Sequence, residues 1–467
     1  MDRARFSAVD WLALPFSSRR VERLPYVVIG VTLALFKYGI EVAVFRALAG
    51  KWLTPVQFIN PSFGARAQLL ENAPEWLGWA LFVWSMPFVW IALSMSVRRA
   101  ATAGQSPWLG VAVLLPLVNL LVMALLGLLP DKPGPEAAVP VAAETKGGTL
   151  DAAAWRAVGA ALAAGGLSFA GGLYGFASYG AVLFFATPAM MGMVAGFVYN
   201  RPVSRSTAAT LGLGALVMLA AGGVLLGLAF EGLICLAMAV PIVMPLAIAG
   251  ALLGKWIAEA TRAGLAHVTV AVLALPLLAG AESLVTSTPE YEILTTVDVA
   301  APPAAVWKRI VEFPDIPPPD DWFFRSGIAC PLRARIEGTG VGAVRHCEFT
   351  TGDFVEPITV WDEPRRLAFD VVEQPDPMVE LSPWRHVHPP HLVDRSLRSR
   401  RGEFRLVDLG DGRTRLEGRT WYVFDMHPQG YWTLWSDLSI HRIHSRVLDH
   451  IKRLAEADAA VAAVTAR

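Results

Sequence analysis

Eight of the nine histidines lie beyond residue 300, in groups whose spacing suits chemistry. His386, His388 and His391 crowd into Gln374–Leu397, a Pro-, His- and Arg-rich stretch whose composition invites a metal. Zinc sites, however, sit on rigid elements with a fourth ligand at regular spacing. No cysteine stands beside these histidines, so no metal or cofactor is expected, and the stretch reads as a polar lid or docking surface. Asp437, His441 and His444 are spaced i, i+4, i+7 and share one helix face. Turned toward a cavity, that face would orient a ligand head group or move a proton; turned outward, it is ordinary surface. His346 and Glu348 share one strand face, and Glu356 lies on the next strand. They are candidate pocket residues or, equally, the wet face of a half-exposed sheet. Trp421 and Trp432 are candidate cavity walls or core.

These residues need a scaffold, and the pattern after residue 290 supplies one. A strand with Ile293, Thr295, Val297 and Val299 alternating leads through Ala-Pro-Pro into a short helix carrying Val306, Trp307, Ile310, Val311 and Phe313. Proline in the first helical turn sacrifices no hydrogen bond, because that amide has no intrahelical acceptor. Strands are expected at Leu332–Glu337, Gly342–Thr350, Phe354–Asp362, Arg366–Glu373, Arg400–Asp408 and Arg413–Met426. Gly352-Asp353 and Gly410-Asp411-Gly412 mark turns between them. A long helix, about Pro428–Ala457, closes the chain. Its expected apolar face is Tyr431, Leu434, Trp435, Leu438, Ile443, Val447, Ile451 and Leu454. A curled antiparallel sheet followed by one long helix buries both apolar faces by wrapping the helix, with a cavity between them.

The first 290 residues have another character. The chain is 54% hydrophobic and 17% charged over 467 residues, and the shortage of charge is concentrated before residue 285. Eight spans are expected: Tyr26–Leu48, Trp76–Val97, Pro107–Leu129, Trp155–Tyr174, Gly180–Tyr199, Ser206–Leu228, Leu233–Leu253 and Leu265–Leu284. Lys37 and Glu41, four apart in the first span, are an intramembrane ion pair, functional or structural, and Glu231 occupies a short turn. Small residues, among them Gly212, Gly214, Gly222 and Gly223, predict close helix packing. The expected modules are a three-span bundle (1–130), a linker (131–154), a five-span bundle (155–285) and an α+β domain (290–460). Arginines before the first span and at Arg98 and Arg99 put the N-terminus inside. Eight spans then return the last domain to the cytoplasmic side; if one of them, such as Trp155–Tyr174, does not cross, Arg201, Arg205, Lys255 and Arg262 come inside and the domain faces out.

Forty basic and forty acidic residues argue neither for nucleic acid nor for an acidic partner, and no nucleic-acid partner is expected. Cys235, Cys330 and Cys347 read as small buried hydrophobes rather than a disulfide framework. There is no serine elbow, phosphate-cradling loop or CxxC pair.

Two resemblances add to this. Phe16–Val28 and Ser96–Asn119 resemble a small bacterial inner-membrane family, domain of unknown function 805. Arg99, Gly104, Ser106 and Trp108 match that family's Arg-Leu-His-Asp-x-Gly-x-Ser-x-Trp loop, while Ala100, Ala101 and Thr102 replace its Leu-His-Asp. VDVAAPPAAVWKRIVEFPDI, GTGVGAVRHCEF, EPITVWDEPRRLAFDV and the final helix resemble the START-like, helix-grip superfamily of SRPBCC and polyketide cyclase/dehydrase proteins. That resemblance implies a deep pocket for a lipid, polyketide or other apolar molecule, without implying one activity. The expectation is therefore a multi-pass bacterial inner-membrane protein whose helix-grip domain binds a hydrophobic ligand at the bilayer as binder, carrier or sensor. Its partners are membrane lipids and a hydrophobic small molecule. The alternatives are a cyclase/dehydrase-type enzyme using pocket His and acid residues, and a scaffold docking a protein through 374–397.

Overall fold

The computed structural model describes residues 20–59, 69–70, 73–74, 76–114, 118–132, 151–171, 180–260, 289–311, 313–384, 387, 389, 391 and 396–465. The chain divides into two compact units. One comprises Met1–Ala161, Ala189–Val217 and Ala247–Val272; the other comprises Leu162–Pro188, Met218–Leu246 and Leu273–Arg467.

The helices run α1 (Arg23–Leu48), α2 (Pro55–Ile59), α3 (Trp76–Thr102), α4 (Pro107–Val111), α5 (Val118–Leu128) and α6 (Ala152–Ala170). A π-helical turn, Val182–Ala186, leads into α7 (Thr187–Asn200), followed by α8 (Thr207–Gly227) and α9 (Leu233–Ala260). Six of these segments are long and apolar enough to cross a membrane: α1, α3, α6, Val182–Asn200, α8 and α9. The expected span Pro107–Leu129 is instead α4, a 3-10 turn at Ala112–Leu114 and the short α5. Pro116 falls between the last two in sequence, and proline removes an amide that an unbroken helix needs. The expected span Leu265–Leu284, with the tether after it, lies outside the described residues.

In the first unit, helix packing is governed by glycine, at positions other than most of those expected. A Cβ on Gly192 would lie 1.9 Å from the Ala247 carbonyl oxygen, and one on Gly196 2.0 Å from that of Ala251. Gly250 and Gly254 face α7 as closely, at 2.0 Å from Ala189 O and 2.1 Å from Met193 O. A small-xxx-small pair on each of α7 and α9 thus brings backbone against backbone. Gly212 and Gly223 have nothing within 4 Å, and only Gly214 of the expected group meets α9 closely.

Arg99, matched in the first resemblance, is fully buried. It donates to Leu126 O (2.9 Å), to Leu129 O and to Asp131, so a cation satisfies the last carbonyls of α5. Lys37 and Glu41 pair within α1, and the Lys37 ammonium lies over the Phe58 and Phe88 rings.

The second unit contains the α+β domain. Its strands are β1 (Glu290–Val299), β2 (Pro331–Glu337), β3 (Val344–Phe349), β4 (Gly352–Asp362), β5 (Arg366–Asp370), β6 (Leu397–Gly410) and β7 (Arg413–Phe424). Helices α10 (Pro303–Val311) and α11 (Trp322–Arg325) precede β2, and α12 (Gln429–Thr465) ends the chain. One antiparallel sheet runs in the order β1-β7-β6-β5-β4-β3-β2, so the first strand pairs with the last and the final helix returns across the sheet. Period-2 alternation sends Ile293 and Val299, Leu416, Tyr422 and Phe424, and Phe404 and Leu406 to the helix side. There Val306, Trp307, Ile310, Val447, Leu448 and Ile451 complete a core.

The C-terminal part of α12 buries the expected residues. The N-terminal part does not: Leu434 and Leu438 are exposed, while Trp432 and Ser436 are buried. The reason is hydrogen bonding, since the Tyr422 hydroxyl meets Ser436 Oγ at 2.9 Å and turns that helix face to the sheet.

Replacing Gly196 with Leu is expected to lower stability by about 1–3 kcal/mol or more through overpacking, whereas Gly212→Leu is close to neutral. Thermal unfolding of the detergent-solubilised chain measures both.

Candidate functional site

The inner face of the grip carries a row of polar groups along β1, β7 and α12. The hydroxyl of Thr295 lies 2.8 Å from His441 Nδ1 and 3.1 Å from His444 Nδ1. The hydroxyl of Thr420 lies 2.8 Å from His444 Nε2, so both ring nitrogens of His444 are engaged. One helical turn earlier, the Tyr422 hydroxyl donates to Asp437, and the Tyr291 ring stacks on Tyr422 at 5.5 Å. Burial pushes the His444 imidazole down to about 4, aided by His441, and keeps it neutral. Burial also raises the Asp437 carboxyl, against the opposing Tyr422 hydrogen bond, and raises the Tyr422 phenol. Neutral imidazole, carboxyl and phenol form a chain of donors and acceptors suited to a ligand's polar end.

A second polar group lies deeper in the sheet. Arg345 on β3 and Glu356 on β4 face inward and pair with each other, at 3% and 6% exposure. The guanidinium lies 4.9 Å from the Phe369 ring centroid and 5.4 Å from that of Phe404. Gly402 makes room for this, because a Cβ there would come 2.5 Å from the Phe369 ring. Burial raises the Glu356 carboxyl, with Arg345 opposing, and pushes the Cys347 thiol up to about 12. Arg345 Nε is buried without a hydrogen-bond partner among the described residues, leaving one donor available inside an aromatic wall.

The sequence-selected residues divide between the two sheet faces. Asp437, His441 and His444 come together as their spacing implies, with His441 the exposed member and Asp437 and His444 partly buried. Glu356 faces inward. His346 and Glu348 point the other way: Glu348 takes Arg333 at 2.7 Å, and His346 lies 3.9 Å from Glu337. Trp421 is also on the outer face, under the Arg401 guanidinium at 4.3 Å. It lines an open groove of about 1030 Å³ with Arg366, Arg401, Glu403, Arg405 and Arg419. That groove is charged and lies on the far side of the sheet from α12, so an apolar ligand has little reason to use it. Arg345 was not selected from the sequence, although Arg345, Cys347 and Phe349 alternate with the outward residues. The signal was an arginine among core residues.

Trp432 leads out of the domain. Its ring meets Phe184 edge-on at 4.8 Å, and Tyr431 donates to the Met238 carbonyl. Ile293, Tyr422, Phe424, Met426 and Trp432 form one apolar cluster with Phe169, Leu183, Phe184 and Met238. All of these residues lie in the second unit. The grip interior is therefore continuous with side chains from α6, the π-helical turn and α9.

The insertion also turns inward. Glu380 accepts from Ile234 N and Cys235 N, both at 3.0 Å, and Leu381 O accepts from Leu233 N at 2.8 Å. Trp384 Nε1 donates to Leu226 O at 3.0 Å. His386 and His388 lie outside the described residues. His391 is buried 3.3 Å from Cys235 Sγ and 3.5 Å from Glu231, so a cysteine does accompany it, from a part of the chain far away in sequence.

The seven-stranded antiparallel sheet, with β1 beside β7 and a long helix returning across it, has the order of elements that the second resemblance implies. Residues 16–137 match the family described as protein of unknown function (DUF805). A comparison with curated proteins finds no match. Among solved structures, norcoclaurine synthase from Thalictrum flavum is 15% identical, covering 36% of this chain and 95% of its own at a TM-score of 0.24. The Zhui aromatase/cyclase from Streptomyces sp. R1128 is 15% identical, covering 37% and 94%, at 0.23. A Chromobacterium violaceum protein is 16% identical, covering 35% and 96%, at 0.24.

His444 sets a pH dependence. Its folded pKa lies below the ordinary histidine value, so between about 6.5 and 4 the unfolded chain binds the extra proton. Stability is present above that window and falls as pH drops through it, by on the order of 2–3 kcal/mol. The raised Asp437 and Glu356 carboxyls act in the opposite sense. Comparing thermal unfolding of the wild type with His444→Gln isolates the histidine, and the variant is expected to lose this limb of the profile.

Proposed function

We propose that the chain is a bacterial inner-membrane protein whose C-terminal helix-grip domain takes a hydrophobic ligand of lipid, isoprenoid or polyketide type directly from the bilayer, as binder, carrier or sensor. The observation that carries this reading is the apolar cluster joining Tyr422, Phe424 and Trp432 inside the grip to Phe169, Phe184 and Met238 on membrane helices. An apolar molecule loses its favourable burial whenever it crosses water. A mouth seated against membrane helices removes that crossing. The ligand's polar end would meet Asp437, His441 and His444, and an acceptor group reaching further would meet Arg345. The arginines before α1 and at the end of α3 favour a cytoplasmic N-terminus, and an even number of crossings would put this domain on the same side.

A cyclase- or dehydrase-type enzyme is supported less well. General acid–base work needs a ring nitrogen directed at substrate, and both nitrogens of His444 are held by threonines. A scaffold docking a partner through 374–397 is also less supported, because the described part of that insertion binds the chain's own α8 and α9.

Solvent extraction and mass spectrometry of the purified full chain are expected to release an apolar small molecule at near-stoichiometric amount. Thr420→Phe, which fills the inner row, should reduce it about tenfold, and Thr359→Phe in the outer groove should leave it unchanged. Equal lipid content in all three proteins would contradict the reading.

A further inference from the structure

Where the FEG turn enters α9, three side chains that suit metal binding converge. Glu231 lies two residues before α9, and Cys235 is in its first turn. His391 arrives from the insertion, which Glu380, Leu381 and Trp384 fasten to the same corner. All three are more than nine-tenths buried, at 7%, 8% and 6% exposure. One ligand atom from each lies within 4.8 Å of the others. Cys235 Sγ and His391 Nε2 are already 3.3 Å apart. Around a tetrahedral zinc ion such ligand atoms are about 3.4–3.6 Å apart, given bonds of about 2.3 Å to sulfur and about 2.0–2.1 Å to nitrogen or oxygen. Glu231 meets the other ring nitrogen, Nδ1, at 3.5 Å, so closing the site on a single nitrogen needs the carboxylate and the imidazole to turn together, from within 4.8 Å to about 3.4 Å.

The electrostatics point the same way. Glu231 Oε2 is buried with no hydrogen-bond partner among the described residues, beside the equally buried Glu380 carboxylate. Glu380 spends both oxygens on the amides of Ile234 and Cys235, the unsatisfied donors of a helix start. Glu231 has no backbone amides of this kind and only the His391 ring at 3.5 Å, and a buried carboxylate favours a cation beside it. A thiolate, an imidazole and a carboxylate together make a donor set of intermediate softness, which suits zinc-class ions and not magnesium or calcium.

We propose that Glu231, Cys235 and His391 bind a divalent transition-metal ion of the zinc class, fastening the insertion to the start of α9. Coordination releases the Cys235 thiol proton to solvent. Three protein ligands leave a fourth position for water or another small ligand.

The test uses the full chain, purified in detergent, stripped with chelator and titrated with cobalt(II) alone. One cobalt per chain should bind with a thiolate-to-metal charge-transfer absorption. Cys235→Ser should abolish that absorption, His391→Gln should weaken binding about tenfold or more, and Glu231→Gln should do the same. Cys330→Ser, a buried cysteine elsewhere in the unit, should leave it intact and controls for loss of fold. A wild type that shows no charge-transfer band, or a band that survives Cys235→Ser, overturns the proposal and leaves the three residues as a hydrogen-bonded cluster.

Discussion

The structure of the C-terminal half depends on one constraint: the open end of the grip is apolar and must not face water. Tyr291, Tyr422, Phe424 and Met426 cannot all be covered by α12, whose early turns present Ser436 and Asp437 to the sheet. Phe169, Leu183, Phe184 and Met238 provide the cover instead. Burial of aromatic side chains of this size is worth roughly 1.5–3 kcal/mol each. The hydrogen bond from Tyr431 to the Met238 carbonyl adds direction to a contact that dispersion alone would leave free to slide. This contact holds the grip domain against side chains of α6, the π-helical turn and α9.

Within the grip, most of the inward-facing polar groups are partnered. His444 has a threonine hydroxyl on each ring nitrogen, Tyr422 is shared between Ser436 and Asp437, and Arg345 is paired with Glu356 between two aromatic rings. A buried ion pair seldom improves stability over an apolar replacement, so retaining one in a core argues for a use beyond folding. Arg345 Nε, a buried donor with no partner among the described residues, is the most direct sign of such a use.

Much of the soluble half is legible in the sequence because its signals are local. Alternation along Ile293–Val299 and Arg413–Phe424, Asp-Gly at the β6–β7 turn and the i, i+4, i+7 spacing of Asp437, His441 and His444 each depend on near neighbours. Face assignment is less legible. His346 and Glu348 attract notice as chemistry, yet period 2 sends them outward as soon as Cys347 and Phe349 are assigned to the core. The early turns of α12 mislead because Leu434 and Leu438 look like core residues, while the hydroxyl of Tyr422, a residue on another element, decides the rotation. Partners distant in sequence are not legible at all: Cys235 meets His391 across 156 residues, and nothing in either neighbourhood announces the other. In the membrane half, glycine content predicts close packing, but the sequence does not mark Gly192 and Gly250 as facing a helix and Gly212 as facing open space.

The central claim is that membrane-derived apolar molecules occupy the grip interior. Photo-crosslinking in native membranes tests it most directly, with p-benzoylphenylalanine placed at Thr420 inside the sheet and, separately, at Val423 on the outer face. The account predicts lipid- or isoprenoid-mass adducts at position 420 and none at 423. Only intraprotein crosslinks at 420, or the same adducts at both positions, would contradict it.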